Sequence, residues 1–168
     1  SLVRAGLMHA LRQGALPGSE RWLYDSLKPG RTPLEELARV AASLAGSLEA
    51  GNDIRTQGLK DATILHQWAE IALKDRRERR AVILIDQFEE IFTQVSNEAE
   101  RVAFLNLLTH AATVANGRVI VLSTIRSDFV SNCATYPQLN ALLNQQFFQV
   151  GAMQPAELVS AIARPALQ

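Results

Sequence analysis

The residues best suited to chemistry lie in AVILIDQFEEIF, residues 81–92. Asp86 follows five apolar, mostly β-branched residues, and Glu89 and Glu90 come three and four positions later. Carboxylate oxygens suit a hard cation such as Mg²⁺, held through water, and can orient an attacking water. The same pattern also serves folding alone: Asp86 caps a helix, and the two glutamates favour its positive N-terminal end. A second group follows the apolar run of VIVLSTIRSDF, residues 119–129, as Thr124, Arg126 and Asp128. A guanidinium there suits an anion, including the charge that develops on a phosphoryl group during transfer. Its plainer role is a surface pair with Asp128. A third feature is the opening helix, whose first N–H groups and dipole favour an anion beside Ser1.

Other chemistries find little support. The phosphate-loop pattern G-x-x-x-x-G-K-[ST] is absent, since Gly14, Gly18, Gly30, Gly51 and Gly58 all lack a following Lys-Ser or Lys-Thr. His9, His66 and His110 are scattered over separate helical stretches, with no spacing for zinc. Cys133 is the one cysteine, so no disulfide scaffold exists, and it reads as a small buried residue in a reducing compartment.

These groups need elements to position them. The uninterrupted apolar run at 81–85 predicts a strand buried on both faces, and RVIVLSTI at 118–125 a second one. Residues 20–27 and 146–153 are weaker strand candidates. Helices are expected over 1–13, over 32–48 with a Thr32–Glu35 capping box, and over 58–74. Further helices are expected over 97–115 capped by Ser96 or Asn97, over 127–145 with a break at Tyr136-Pro137, and over 155–163. Gly51-Asn52-Asp53 reads as a loop. The charged run at 75–80 reads as a solvated edge or a small basic contact patch. Strands alternating with helices imply an α/β fold with a parallel sheet. Ligands in such sheets bind beyond the carboxyl ends of the strands. That directs attention to the residues after Leu27, Ile85 and Leu122.

Composition narrows the classes. Of 168 residues, 48% are hydrophobic, which excludes intrinsic disorder. Lys+Arg and Asp+Glu are both 17, a balance that disfavours a nucleic-acid partner. Aromatics at 6% provide no stacking platform for single strands. No apolar run reaches the roughly 18–20 residues of a membrane span, and no leader pattern opens the chain.

Six segments in order carry a family resemblance: SLVRAGLMHALRQGALPGSERW at 1–22, LKPG at 27–30, DQFEEIFT at 86–93, STIRSDF at 123–129, YPQLNALL at 136–143 and MQPAELVSAIARPA at 153–166. Together they resemble the novel STAND NTPase domain, a branch of the STAND signalling P-loop ATPases found mainly in large bacterial proteins, often beside WD-type repeats. The resemblance covers nearly the whole chain, and DQFEE with R-x-D-F is its most specific part. It implies a P-loop NTPase-like α/β fold, a parallel sheet with helices on both faces. It implies ATP and Mg²⁺ as ligands. Asp86 would be the Walker B aspartate holding the Mg²⁺ hydration shell. Glu89 and Glu90 would polarise the attacking water, with Glu90 as base, and Arg126 would read the γ-phosphate. Ser1 would lie at or just after the Mg²⁺-binding Ser/Thr. On this view residues 1–168 are one partial domain, cut at both ends, with the first strand and phosphate loop preceding residue 1. That strand would lie between those at 147–150 and 118–124, and its loss would expose two apolar edges, leaving the chain alone poorly soluble and weak in ATP binding.

The implied function is a cytoplasmic switch that binds Mg·ATP, hydrolyses it slowly, and docks neighbouring domains or forms a homo-oligomer. The alternative is a non-catalytic oligomerisation or scaffold module of the same fold.

Overall fold

The computed structural model describes residues 3–74 and 78–151. Strands β1 (Leu23–Leu27), β2 (Ala81–Ile85) and β3 (Val119–Ser123) form one parallel sheet in the order β1-β2-β3. The register pairs Leu27 with Ile85 and Ile85 with Ser123. β2 is thus central, and all five of its residues are buried, as an unbroken apolar run requires.

Both chain connections step across the sheet in one direction. Right-handed crossovers then place their helices on one face. Between β1 and β2 come α2 (Pro33–Ala45), α3 (Leu48–Gln57) and α4 (Ile64–Ala72). Between β2 and β3 come α5 (Glu90–Thr93) and α6 (Glu98–Thr113). Ala81, Ile83 and Ile85 point into this layer and join a core with Leu37, Ile54, Leu65, Phe104 and Leu107. Val82 and Leu84 point the other way and meet Met8 of α1 (Met8–Arg12), flanked by Trp22 and Tyr24. A wider helical turn, Val3–Leu7, leads into α1. The sheet therefore carries helices on both faces, as expected, but the two layers are very unequal.

Several local expectations change. Gly51-Asn52-Asp53 is no loop but the middle of α3. Gly46, at φ +64°, ends α2, and the Ser47 hydroxyl then accepts from Glu49 N–H to start α3. Gly51 is there for packing: a Cβ would stand 2.9 Å from the Ala38 carbonyl oxygen, so α2 and α3 touch backbone to backbone. The Thr32–Glu35 capping box does not form, because the Thr32 side chain makes no capping bond. Instead Leu34 N–H donates to Glu100 of α6 at 3.4 Å, and Glu35 turns outward to Arg55. The helix expected at 58–74 starts later, at Ile64, after an Asp61 carboxylate that accepts from Thr63 N–H and Oγ1. Asn97 caps α6, with its Oδ1 accepting from Ala99 N–H.

Past β3 the chain forms tight helical turns over Ser127–Thr135, breaks at Tyr136, and continues as α7 (Pro137–Gln146). The break falls where Tyr136-Pro137 predicts it. The strand expected at 146–153 is not formed over its described part. Gln146 closes α7, and residues 147–151 pair with no strand, leaving Phe148 83% exposed. Apolar composition alone does not make a ladder. β3 pairs only with β2 among the described residues. The helix expected at 155–163 and part of the 75–80 run lie outside the described residues. No described helix is long and apolar enough to cross a membrane.

Two predictions test this packing. Leu37→Ala, at a fully buried position of α2, should cost about 2–5 kcal/mol in urea unfolding with an unchanged m-value. The second concerns Glu70, whose hydrogen bonds from Arg118 hold its carboxyl below the ordinary value. A carboxylate with a lowered folded-state pKa stabilises above its unfolded pKa, and that contribution is lost as pH falls through the folded value. Urea midpoints measured between about pH 7 and about pH 3 should therefore fall less steeply in Glu70→Gln than in the wild type.

Candidate functional site at the strand tips

The three strand ends set a row of side chains. The ladder runs one rung past each strand, as Asp86 N–H donates to Leu27 O at 2.8 Å and Thr124 N–H donates to Ile85 O at 3.0 Å. Extending the register by one residue places Lys28, Asp86 and Thr124 side by side. Asp86 is only 7% exposed. A buried carboxylate needs hydrogen-bond donors. The Thr124 hydroxyl supplies one, donating to Asp86 Oδ1 at 2.7 Å.

Thr124 also holds the turn beyond Asp86. Gln87 adopts φ +58°, a conformation that costs a non-glycine residue about 1 kcal/mol or more. Its N–H donates to Thr124 Oγ1 at 3.0 Å, and Phe88 N–H donates to Thr124 O at 2.8 Å. One threonine thus serves both the carboxylate and the turn that follows it.

The turn leads into α5, whose apolar residues anchor it. Phe88 and Ile91 are buried, and Phe92 stacks near Tyr136 with ring centroids 6.0 Å apart. Arg101 of α6 donates to Ile91 O at 2.8 Å, a carbonyl near the end of α5, and also to Val95 O just beyond it. With Phe88 and Ile91 turned inward, Glu89 and Glu90 face outward and diverge. Glu89 Oε2 accepts from Arg126 N–H on the β3 side at 3.3 Å. Glu90 Oε2 accepts from Gly30 N–H on the β1 side at 3.0 Å.

The structure thus brings Asp86, Glu89 and Glu90 to one strand tip, with Arg126 beside Glu89 through its backbone. The Arg126 guanidinium is engaged elsewhere: it forms a two-pronged pair with Asp128 at 2.8 and 3.1 Å, largely exposed, and lies over the Phe129 ring. Ser1 lies outside the described residues. No group of three or more His, Cys, Asp or Glu side chains is placed to hold a metal among the described residues. His66 and His110 do approach, with ring centroids 6.1 Å apart, far from the strand tips. Cys133 is buried, and burial pushes its thiol up to about 11, which disfavours a nucleophilic thiolate.

A cavity of about 570 Å³ opens on the β1 side of Asp86, with Lys28, Arg31, Arg39 and Arg4 among its lining. A larger set of cations therefore stands near Asp86 than the motifs alone indicate. The Gly30 contact was not anticipated, since nothing local links residues 30 and 90. The Thr124 contact was within reach, because two parallel strands of known ends align their tips.

A test of the tip follows. Thr124→Val removes the hydroxyl behind Asp86 and a partner of Gln87, and should cost about 1–3 kcal/mol in chemical denaturation. Thr124→Ser keeps the hydroxyl and should recover most of that loss. No curated protein and no solved structure matches the chain. One family model does: that of Novel STAND NTPase 1, over residues 1–168. With a parallel α/β sheet, an acidic residue at the tip of its central strand, and a match along its full length, the chain belongs to the Novel STAND NTPase 1 family.

Proposed function

We propose that the chain is the nucleotide-binding part of a larger cytoplasmic signalling protein, and that it binds Mg·ATP across the strand tips and hydrolyses it slowly. The observation that carries this is Asp86, a buried carboxylate at the ligand end of a parallel sheet, flanked by Glu89 and Glu90. The family supports a nucleotide-binding signalling domain.

The donor set fits Mg²⁺. One carboxylate with a hydroxyl behind it suits an ion that keeps most of its waters, whereas Ca²⁺ takes six to eight oxygens. Asp86 would hold this ion through water, and the ion would supply positive charge to offset that of the phosphates. Glu90 accepts a proton from the water that attacks the γ-phosphorus as the bond to the bridging oxygen breaks and ADP leaves, while Glu89 orients that water. Arg126 turns from Asp128 to the γ-phosphate, exchanging one anion for another of higher charge. An exposed ion pair contributes little, so that exchange has a low barrier. Ser1 would contribute a phosphate contact. The presence or absence of the γ-phosphate then changes how the domain docks on its neighbours in the chain or on further copies.

A second reading, a scaffold of the same fold without catalysis, draws on the Arg126–Asp128 pair, which leaves the guanidinium already neutralised. Titration of the full-length protein with Mg·ATP separates the two. Saturable binding with slow phosphate release supports the switch, and no binding supports the scaffold. Given binding, Glu90→Gln should lower turnover by about 10²-fold or more while changing affinity little. Equal loss of both would remove Glu90 from the role of base.

A further inference from the structure

Glu90 is held by a donor that the hydrolysis scheme does not use. Gly30 N–H reaches its Oε2 across sixty residues of sequence. The donor sits in the loop Lys28-Pro29-Gly30-Arg31 that leaves β1. Gly30 has φ +58°, and a Cβ there would meet no heavy atom within 4 Å. Backbone conformation, not space, therefore asks for glycine. Pro29 is buried and fixes its own φ, so the turn has little freedom.

The same loop carries charge. Lys28 and Arg31 line the cavity that contains Asp86, and neither makes a hydrogen bond or ion pair among the described residues. Arg39, on the opposite wall, is committed to Glu36, to Asp25 and to the Ser26 carbonyl. Lys28 and Arg31 are therefore the cations this loop offers to an anion beside Asp86.

We propose that the Lys28–Arg31 loop is the positioning element for Glu90: Lys28 and Arg31 contact the phosphates of the bound nucleotide, and the Gly30 N–H between them fixes the Glu90 carboxylate. The proposal rests on the nucleotide reading given above. Its consequence is that phosphate contact and carboxylate orientation are coupled through one rigid turn. Gly30 and its neighbours act through Glu90 and through binding, not on the reacting atoms.

The test has two arms, both in the full-length protein. The first reads the Gly30 amide by NMR without nucleotide. Glu90→Ala should move the amide proton upfield, as loss of a carboxylate acceptor requires. Addition of Mg·ATP should move the same resonance in the wild type, and that response should be lost in Lys28→Gln/Arg31→Gln. The second arm reads kinetics. Lys28→Gln/Arg31→Gln should raise KM about tenfold, as expected for lost charge-assisted hydrogen bonds. Gly30→Ala should lower kcat about tenfold with KM nearly unchanged, since misplacing a catalytic group by a fraction of an ångström is costly. The double glutamine variant alters only exposed side chains, so it stays informative if Gly30→Ala fails to fold. An amide that ignores Glu90→Ala overturns the proposal. So does a double variant with wild-type KM and an intact amide response. If the wild type binds and hydrolyses Mg·ATP while these variants behave like it, this proposal alone fails. If the wild type binds no Mg·ATP, the nucleotide reading fails and takes this proposal with it.

Discussion

A carboxylate one residue beyond a strand buried on both faces must be met by its neighbours, and the tip of this sheet is organised around Asp86. The two neighbouring strands end level with it because their ladders are in register. That brings the Thr124 hydroxyl within 2.7 Å of Asp86 Oδ1. It also lets Thr124 hold the left-handed turn at Gln87, which redirects the chain so that α5 can begin. Loss of strict register by one residue would turn each tip residue to the opposite face of the sheet. The buried core therefore fixes the site: β2 is held in place by apolar contacts on both faces, and the chemistry inherits that position.

The strength of the contacts differs across the molecule. Burial of residues such as Leu37, Ile54, Phe104 and Leu107 dominates stability, at about 1.5–3 kcal/mol for each fully buried large side chain. Exposed ion pairs such as Arg126–Asp128 and Arg55–Glu35 contribute about 0–1 kcal/mol each. That contrast bears on function. The strand tips rest on a firm base, while the charged groups around them are held weakly and can change partners at little cost. A site that must respond to a ligand needs both properties.

Much of this was legible in the residues. The run AVILI with no alternation specified a central strand, and an acidic residue after it located the candidate site. Ser96 and Asn97 announced the start of α6, and Asn97 is the one that caps it. The failures share one cause, contacts between residues distant in sequence. Gly51 reads as a loop residue locally but is helical because Ala38 of α2 packs against it. Thr32 and Glu35 have the spacing of a capping box, yet Glu100 of α6 meets the Leu34 N–H instead. Phe147 and Phe148 have strand composition, but residues 147–151 pair with no strand, and composition alone does not make a ladder. The link between Gly30 and Glu90 has no local signal, because it arises only when β1 and β2 lie side by side. The pairing of Arg126 with Asp128 was readable from their spacing.

The central claim is that Asp86 makes the strand tips a site for a nucleotide together with a divalent cation. It is tested most directly by calorimetric ATP titration of the full-length protein with and without Mg²⁺, in the wild type and in Asp86→Asn. The account predicts that Mg²⁺ strengthens ATP binding in the wild type and that this enhancement disappears in Asp86→Asn, with metal-free binding retained. Equal Mg²⁺ enhancement in the two proteins would contradict it.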